Sequence, residues 1–145
     1  MKLKKRVCLL ALIVMSLVAF VSCGELNAPD ATEFSNTTWK KEVKNHSDSV
    51  VFTMYVKFGK GADGVLTAEA VNPSETVIPD NFAYTIENDT IRFVHENYAY
   101  FHYYRWRLDN AVLKEEYGRQ YLAVFYQYFD QGNWIIRAEE FEQVK

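Results

Sequence analysis

The sequence predicts an all-β domain: an antiparallel up-and-down meander of about eight or nine strands, closed into a barrel. Three observations predict it. Beyond residue 35, Tyr, Phe, Val and Ile recur in short runs, and Gly59, Gly61, Gly64, Gly118 and Gly132 all fall between the runs, as expected for pleated strands separated by turns. Several runs are joined by two-residue links of Asn, Asp and Gly, which tolerate the positive φ of tight hairpins. No window shows the apolar period of an amphipathic helix. Closure follows because an open meander leaves two exposed edges.

Taken in order, the first element is an export signal covering residues 1–22 of the 145-residue chain. MKLKKR is a short basic head, and Val7 to Val21 form an uncharged apolar core, shorter than the roughly 20 residues of a membrane-spanning helix. The run ends FVSCGE. Ser22-Cys23-Gly24 resembles the end of a bacterial lipobox, with Phe20 standing where leucine is usual. That resemblance implies cleavage before Cys23, a lipid on its sulfur and acylation of the new amine. Each buried methylene then contributes about 0.8 kcal/mol to membrane retention. Cys23 is the expected lipidation residue, and the membrane, reached through that lipid, is the expected partner. Gly24, with no retention-type aspartate, implies the outer membrane of a bacterial cell envelope, in a periplasmic or outward orientation. The alternative is ordinary secretion with cleavage near Ser22 to Gly24. Cys8 would leave with the signal, and Cys23 would remain as a free thiol.

Loss of Lys2, Lys4, Lys5 and Arg6 with the signal leaves 12 basic residues against 19 acidic ones, a formal net charge of −7. Nucleic acid, which selects basic faces, is therefore not an expected partner. Residues 23–35 are polar, contain Pro29 and suit a flexible tether. Residues 36–145 suit a single domain able to bury roughly 65% of its unfolded surface.

The strands expected within it are 37–44, 49–58, 64–71, 81–87, 90–96, 99–108, 111–117, 121–129 and 133–141. Asn88-Asp89, Asp109-Asn110 and Gln131-Gly132 supply tight links. Pairing outward from the first places Ile86 by Ile91, Tyr84 by Phe93 and Phe82 by His95. The second places Trp106 by Leu113 and Tyr104 by Glu115, and the third places Phe129 by Trp134 and Phe125 by Ala138. One face is then apolar and aromatic. Arg92, Glu96, Arg105, Arg107, Lys114 and Glu116 lie on the other, a wet face that argues against a membrane-spanning barrel.

FSNTTWKKEV at the first strand and the hairpins YTIENDTIRF and YRWRLDNAVL, behind FVSC and a short tether, resemble the small bacterial lipoproteins with a lipocalin-like, calycin-type barrel. The usual Gly-x-Trp opening has Thr37 in place of its glycine. The resemblance implies that Trp39 closes the barrel base, with Arg137 as its partner.

In AYFHYYRWRL, residues 99–108, Tyr100, His102, Tyr104 and Trp106 alternate onto one face. With Tyr84, Phe93 and the inward carboxylate of Glu115 they form the expected ligand-binding wall. Tyrosine and histidine add polar handles to an apolar surface. An eight-stranded barrel has room for side chains or for one small ligand, so a solid core and a cavity for a small apolar or amphiphilic ligand both satisfy the pattern. A buried carboxylate is costly unless paired, so Glu115 sits either at a solvated mouth or against a polar or cationic ligand group. On the outside, Phe101, Tyr103, Arg105 and Arg107, with Tyr126 and Tyr128 if Phe125 faces inward, form an alternative surface for an envelope protein or a glycan. His95 and His102 lie on one face with β-carbons about 7 Å apart and no third ligand, so no metal or other cofactor is expected. Neither is an enzymatic motif. The loop Asn72 to Asn81 contains Pro73 and Pro79; it is either a lid lined by Val77 and Ile78 or a proline-stiffened surface connection.

Overall fold

The computed structural model describes residues 33–145, so the export signal, Cys23 and nearly all of the tether lie outside the described residues. The strands are β1 (Thr38–Lys44), β2 (Val50–Phe58), β3 (Asp63–Ala70), β4 (Asp80–Glu87), β5 (Thr90–His95), β6 (Ala99–Phe101), β7 (Tyr104–Glu116), β8 (Arg119–Asp130) and β9 (Asn133–Gln143). They are antiparallel neighbours in the order β5-β4-β3-β2-β1-β9-β8-β7-β6, and β5 also pairs with β7. That pairing closes eight strands into a barrel. One edge of β7 is shared: β6 takes residues 104–106 and β5 takes 110–112.

Two of the three expected links turn as written. Asn88 and Asp89 have φ of 49° and 66°, and Gln131 and Gly132 have 47° and 86°. Ile86, Tyr84 and Phe82 accordingly lie opposite Ile91, Phe93 and His95, and Phe129 and Phe125 opposite Trp134 and Ala138.

Asp109-Asn110 does not turn. The chain runs straight through it in a 13-residue strand, with Leu108 opposite Tyr126 and Asn110 opposite Phe125, so that Asp109 is the extra residue of a bulge. Leu108 and Ala111 are both buried. Residues three apart share a face only if the chain reverses or gains a residue, and a bulge achieves this without reversal. The expected pairs Trp106–Leu113 and Tyr104–Glu115 therefore do not form. Trp106 lies opposite Tyr128, Leu113 opposite Leu122 and Glu115 opposite Gln120. The reversals occur at His102-Tyr103, with φ of 48° and 67°, and at Tyr117-Gly118, with 54° and 74°.

Aromatic side chains fill the barrel in two clusters. At the base, Phe58, Phe82, Tyr84 and Phe93 meet edge to face or tilted, with ring centroids 5.0–6.4 Å apart, a geometry favoured by the ring quadrupole. Gly64 permits this, because a β-carbon there would fall 2.4 Å from the Phe82 ring. Higher up, Phe101 stacks on Trp106 at 4.8 Å, and Phe52 packs edge-on against both.

Trp39 is 2% exposed and closes the base as expected, but Arg137 is not its partner. Its Nε1 donates to Thr37 Oγ1 at 3.1 Å, and that hydroxyl donates to the Phe34 carbonyl at 2.7 Å. Thr37 thus supplies an acceptor that glycine could not. Trp39 lies opposite Gln143, and Arg137 is six residues back along β9, about 20 Å away at the usual strand rise.

Candidate functional site: an aromatic cup at the open end of the barrel

Among the described residues β1 and β9 pair only at Trp39↔Gln143 and Lys40↔Glu142, with one further bond from Val144 N–H to the Thr38 carbonyl at 2.8 Å. Beyond them the two strands separate. Lys41 lies opposite the fully buried Met54, and Glu139 opposite the fully buried Val124, so both point to the inner side. Their ion pair of 3.3 Å bridges the split. Inward-pointing charges of this kind keep a strand edge from zipping up or pairing with another chain.

Above the split lies a cup of about 450 Å³, within the range of small-molecule sites. Tyr104 and Trp106 of β7, Tyr126 and Tyr128 of β8, Phe52 of β2 and Val43 of β1 form its wall, with Arg137, Glu139, His46 and His102 on the polar side. The rings brace one another: Trp106 lies 5.1 Å from Tyr128 and 5.7 Å from Tyr126, and Tyr104 lies 5.3 Å from Tyr128. Arg137 stands over the Tyr128 ring at 5.7 Å, and its Nη2 donates to the Tyr128 hydroxyl at 3.3 Å. Burial, reinforced by Glu139, pushes the Tyr126 phenol up to about 12, so it remains a donor throughout the neutral range. The cup thus offers stacking surface, phenolic hydroxyls and the Arg137 guanidinium to an incoming molecule.

His102, Tyr104 and Trp106 of the expected wall meet in this cup, and the remaining members lie elsewhere. The turn at His102-Tyr103 inverts the phase of the stretch: Phe101 lies opposite Tyr104 and Tyr100 opposite Arg105. Phe101, expected outside, is fully buried, and Tyr100, expected inside, is on the outer side, where its backbone exchanges hydrogen bonds of 2.7 and 2.8 Å with Ile78. Tyr84 and Phe93 belong to the base cluster. Glu115 is exposed and lies beside the Tyr117-Gly118 turn at the base, far from Tyr104. The loop before β4 docks along β6 through Ile78, which is 52% exposed, while Val77 packs on the core.

Phe52, Tyr126, Tyr128, Arg137 and Glu139 of the cup are absent from the expected wall. The signal for three of them lay in the Gln131-Gly132 hairpin, whose register pairs Tyr128 with Ile135 and Tyr126 with Arg137. Tyr126 and Tyr128 face inward because Phe125, Phe129 and Trp134 take the outer face.

On that outer face Arg105 and Arg107 project as expected, with different neighbours. Arg105 lies 4.9 Å from the Tyr98 ring and 5.5 Å from Phe129; Arg107 lies 4.1 Å over Trp134 and donates to Gln127 Oε1 through Nε and Nη2 at 3.1 and 2.9 Å. Tyr103 is 73% exposed, away from this ladder at the tip of the β6–β7 turn.

Comparison with protein-family models, with curated proteins and with solved structures found no match to this chain.

Proposed function

We propose that the protein is a non-enzymatic lipoprotein of a bacterial envelope, anchored through Cys23, whose lipocalin-like barrel holds a small apolar or amphiphilic ligand at its open end. The observation that carries this reading is the cup, where the faces of Tyr104, Trp106, Tyr126 and Tyr128 surround a recess of about 450 Å³ with Arg137 at its edge. The ligand sits at the mouth rather than at the barrel centre, because Phe52, Phe101 and Trp106 occupy the centre. Rings supply area for an apolar body, and phenols and guanidinium supply direction for a polar end. The lipobox-like FVSC supports the anchor.

Native mass spectrometry of residues 24–145, purified without detergent and compared before and after denaturing extraction, tests it. The expected result is a reproducible extra mass, lost on extraction and reduced by Trp106→Leu or Tyr128→Leu in a folded protein. An extra mass that both substitutions leave untouched would place the ligand elsewhere.

A second reading, an interaction module for an envelope protein or glycan, is favoured by the outward ladder of Arg105, Phe129, Trp134 and Arg107. Arginine and aromatic residues are the usual anchors of such surfaces. It predicts that Arg107→Ala with Trp134→Ala abolishes recovery of an envelope partner from crosslinked cells; undiminished recovery removes this surface from consideration.

A further inference from the structure

A second recess of about 300 Å³ lies outside the barrel, between the loop after β3 and the β6–β7 turn. The loop is built to present one carboxylate. Asn72 Oδ1 accepts from Ser74 N–H at 3.1 Å and from the Ser74 hydroxyl at 2.6 Å, and Glu75 N–H donates to the Asn72 carbonyl at 3.1 Å. The Glu75 side chain, 11% exposed, is turned toward the β6–β7 turn, where His102 Nδ1 lies 3.3 Å from its Oε1. A carboxylate only accepts, so Nδ1 carries the proton of that bond. The other oxygen, Oε2, is buried with no hydrogen-bond partner among the described residues. A native structure seldom leaves a charged acceptor in that condition without a reason.

The facing turn is equally unusual. His102 and Tyr103 both adopt the left-handed conformation, with φ of 48° and 67°, in a hairpin position that asparagine and glycine occupy at lower cost. Bulky residues persist in such conformations mainly where their side chains have work to do. Here they bring an imidazole onto the carboxylate and a phenol to the edge of the recess. Tyr100 adds a second phenolic ring, Ser74 lines the same recess, and among the described residues no lysine or arginine does.

We propose that this recess is a binding site for an organic ammonium group, such as the head of a primary amine. A carboxylate with an unmet acceptor repels an anion and gains most from a cation that can donate. Phenolic rings attract the same charge through their faces. A small rotation of the Glu75 carboxyl turns Oε2 to the recess, where an N–H of the ammonium supplies the donor it lacks, while His102 continues to hold Oε1. The site shares His102 with the cup, but it does not depend on what the cup holds.

The test is an NMR titration of the full chain in detergent micelles, following the ring signals of His102 and Tyr103 as n-butylammonium chloride is added, with sodium chloride and n-butanol as controls. The expected result is a saturable shift with the ammonium that neither control reproduces, weakened about tenfold or more by Glu75→Gln. Should that variant fail to fold, Tyr103→Gly, at an exposed position whose φ suits glycine, is expected to bind about threefold more weakly. An ammonium response no larger than that of sodium chloride or butanol overturns the proposal. So does an affinity unchanged by Glu75→Gln or, where that variant is unfolded, by Tyr103→Gly.

Discussion

The backbone N–H of Leu108 donates to Nε2 of His95 at 2.9 Å, and this bond fills a gap in the seam that closes the barrel. β6 and β5 take residues 104–106 and 110–112 of β7, and Asp109 bulges between them. On the edge of β7 away from β8 the Leu108 donor therefore has no strand to meet, and a side chain stands in for the missing ladder. An accepting Nε2 is unprotonated, so the imidazole proton lies on Nδ1, which is 2.7 Å from Asp80 Oδ2. Burial lowers the His95 pKa below the ordinary 6.5; the bond and charge of Asp80 oppose the shift, and the Arg107 charge assists it.

Stability should consequently fall in mild acid. A histidine with a lowered folded-state pKa binds fewer protons folded than unfolded, so its contribution is complete above about pH 6.5 and is lost as pH falls through that value toward the folded pKa. Urea melts from about pH 7.5 down to about pH 5 measure it. His95→Leu should cost about 1–3 kcal/mol at the upper pH by stranding the Leu108 donor, and should flatten the profile. An equally steep profile in the variant assigns the acid sensitivity to other groups.

Phe101→Ala should cost about 3–5 kcal/mol in chemical denaturation, the usual loss for an aromatic side chain deleted from a core. Phe101 is fully buried and stacked on Trp106. A change smaller than about 1 kcal/mol would mean that the β6–β7 hairpin does not pack as described.

Tyr103→Gly should raise stability by about 1 kcal/mol, since a non-glycine residue in the left-handed region carries roughly that penalty and the side chain is 73% exposed. Thermal melts at neutral pH decide it. A lower melting temperature would show that the Tyr103 ring contributes more than the strain removes.

Alkaline titration should show Tyr126 as the latest of several delayed phenols, behind Tyr55, Tyr84 and Tyr121, which burial also raises. With Tyr126 raised to about 12, by burial first and Glu139 second, the folded state holds that proton where the unfolded state has released it. Stability attributable to this group is complete below about pH 10 and is lost between about 10 and 12. Phenolate absorbance should lose its latest component in Tyr126→Phe, and a spectrum unchanged by that substitution refutes the assignment.

Much of the barrel was legible because its information is local. Asn88-Asp89 and Gln131-Gly132 combine turn chemistry with flanking alternation, and each set the register of its hairpin without reference to the rest of the chain. Asp109-Asn110 carries the same chemistry but sits in a bulge. Alternation could not separate the two cases, because a two-residue reversal and a one-residue insertion both return Leu108 and Ala111 to the inner face. The true reversal at His102-Tyr103 was invisible for the opposite reason: its residues carry no turn signature, and their conformation is imposed by what flanks them. One misplaced reversal moved Phe101, Tyr100 and Glu115 to the wrong faces or the wrong end, while Tyr104 and Trp106 kept their places.

By itself, then, the sequence determined an all-strand meander with a buried aromatic face and a charged outer one, since composition and period-two alternation act within single strands and hairpins. Only the tertiary structure decided where β7 bulges, where β1 and β9 part, and which rings meet in the cup. Those outcomes depend on contacts between residues distant in sequence, such as Lys41 with Glu139, His95 with Leu108 and Trp106 with Tyr128. Their energies arise only once closure of the barrel has brought the strands together.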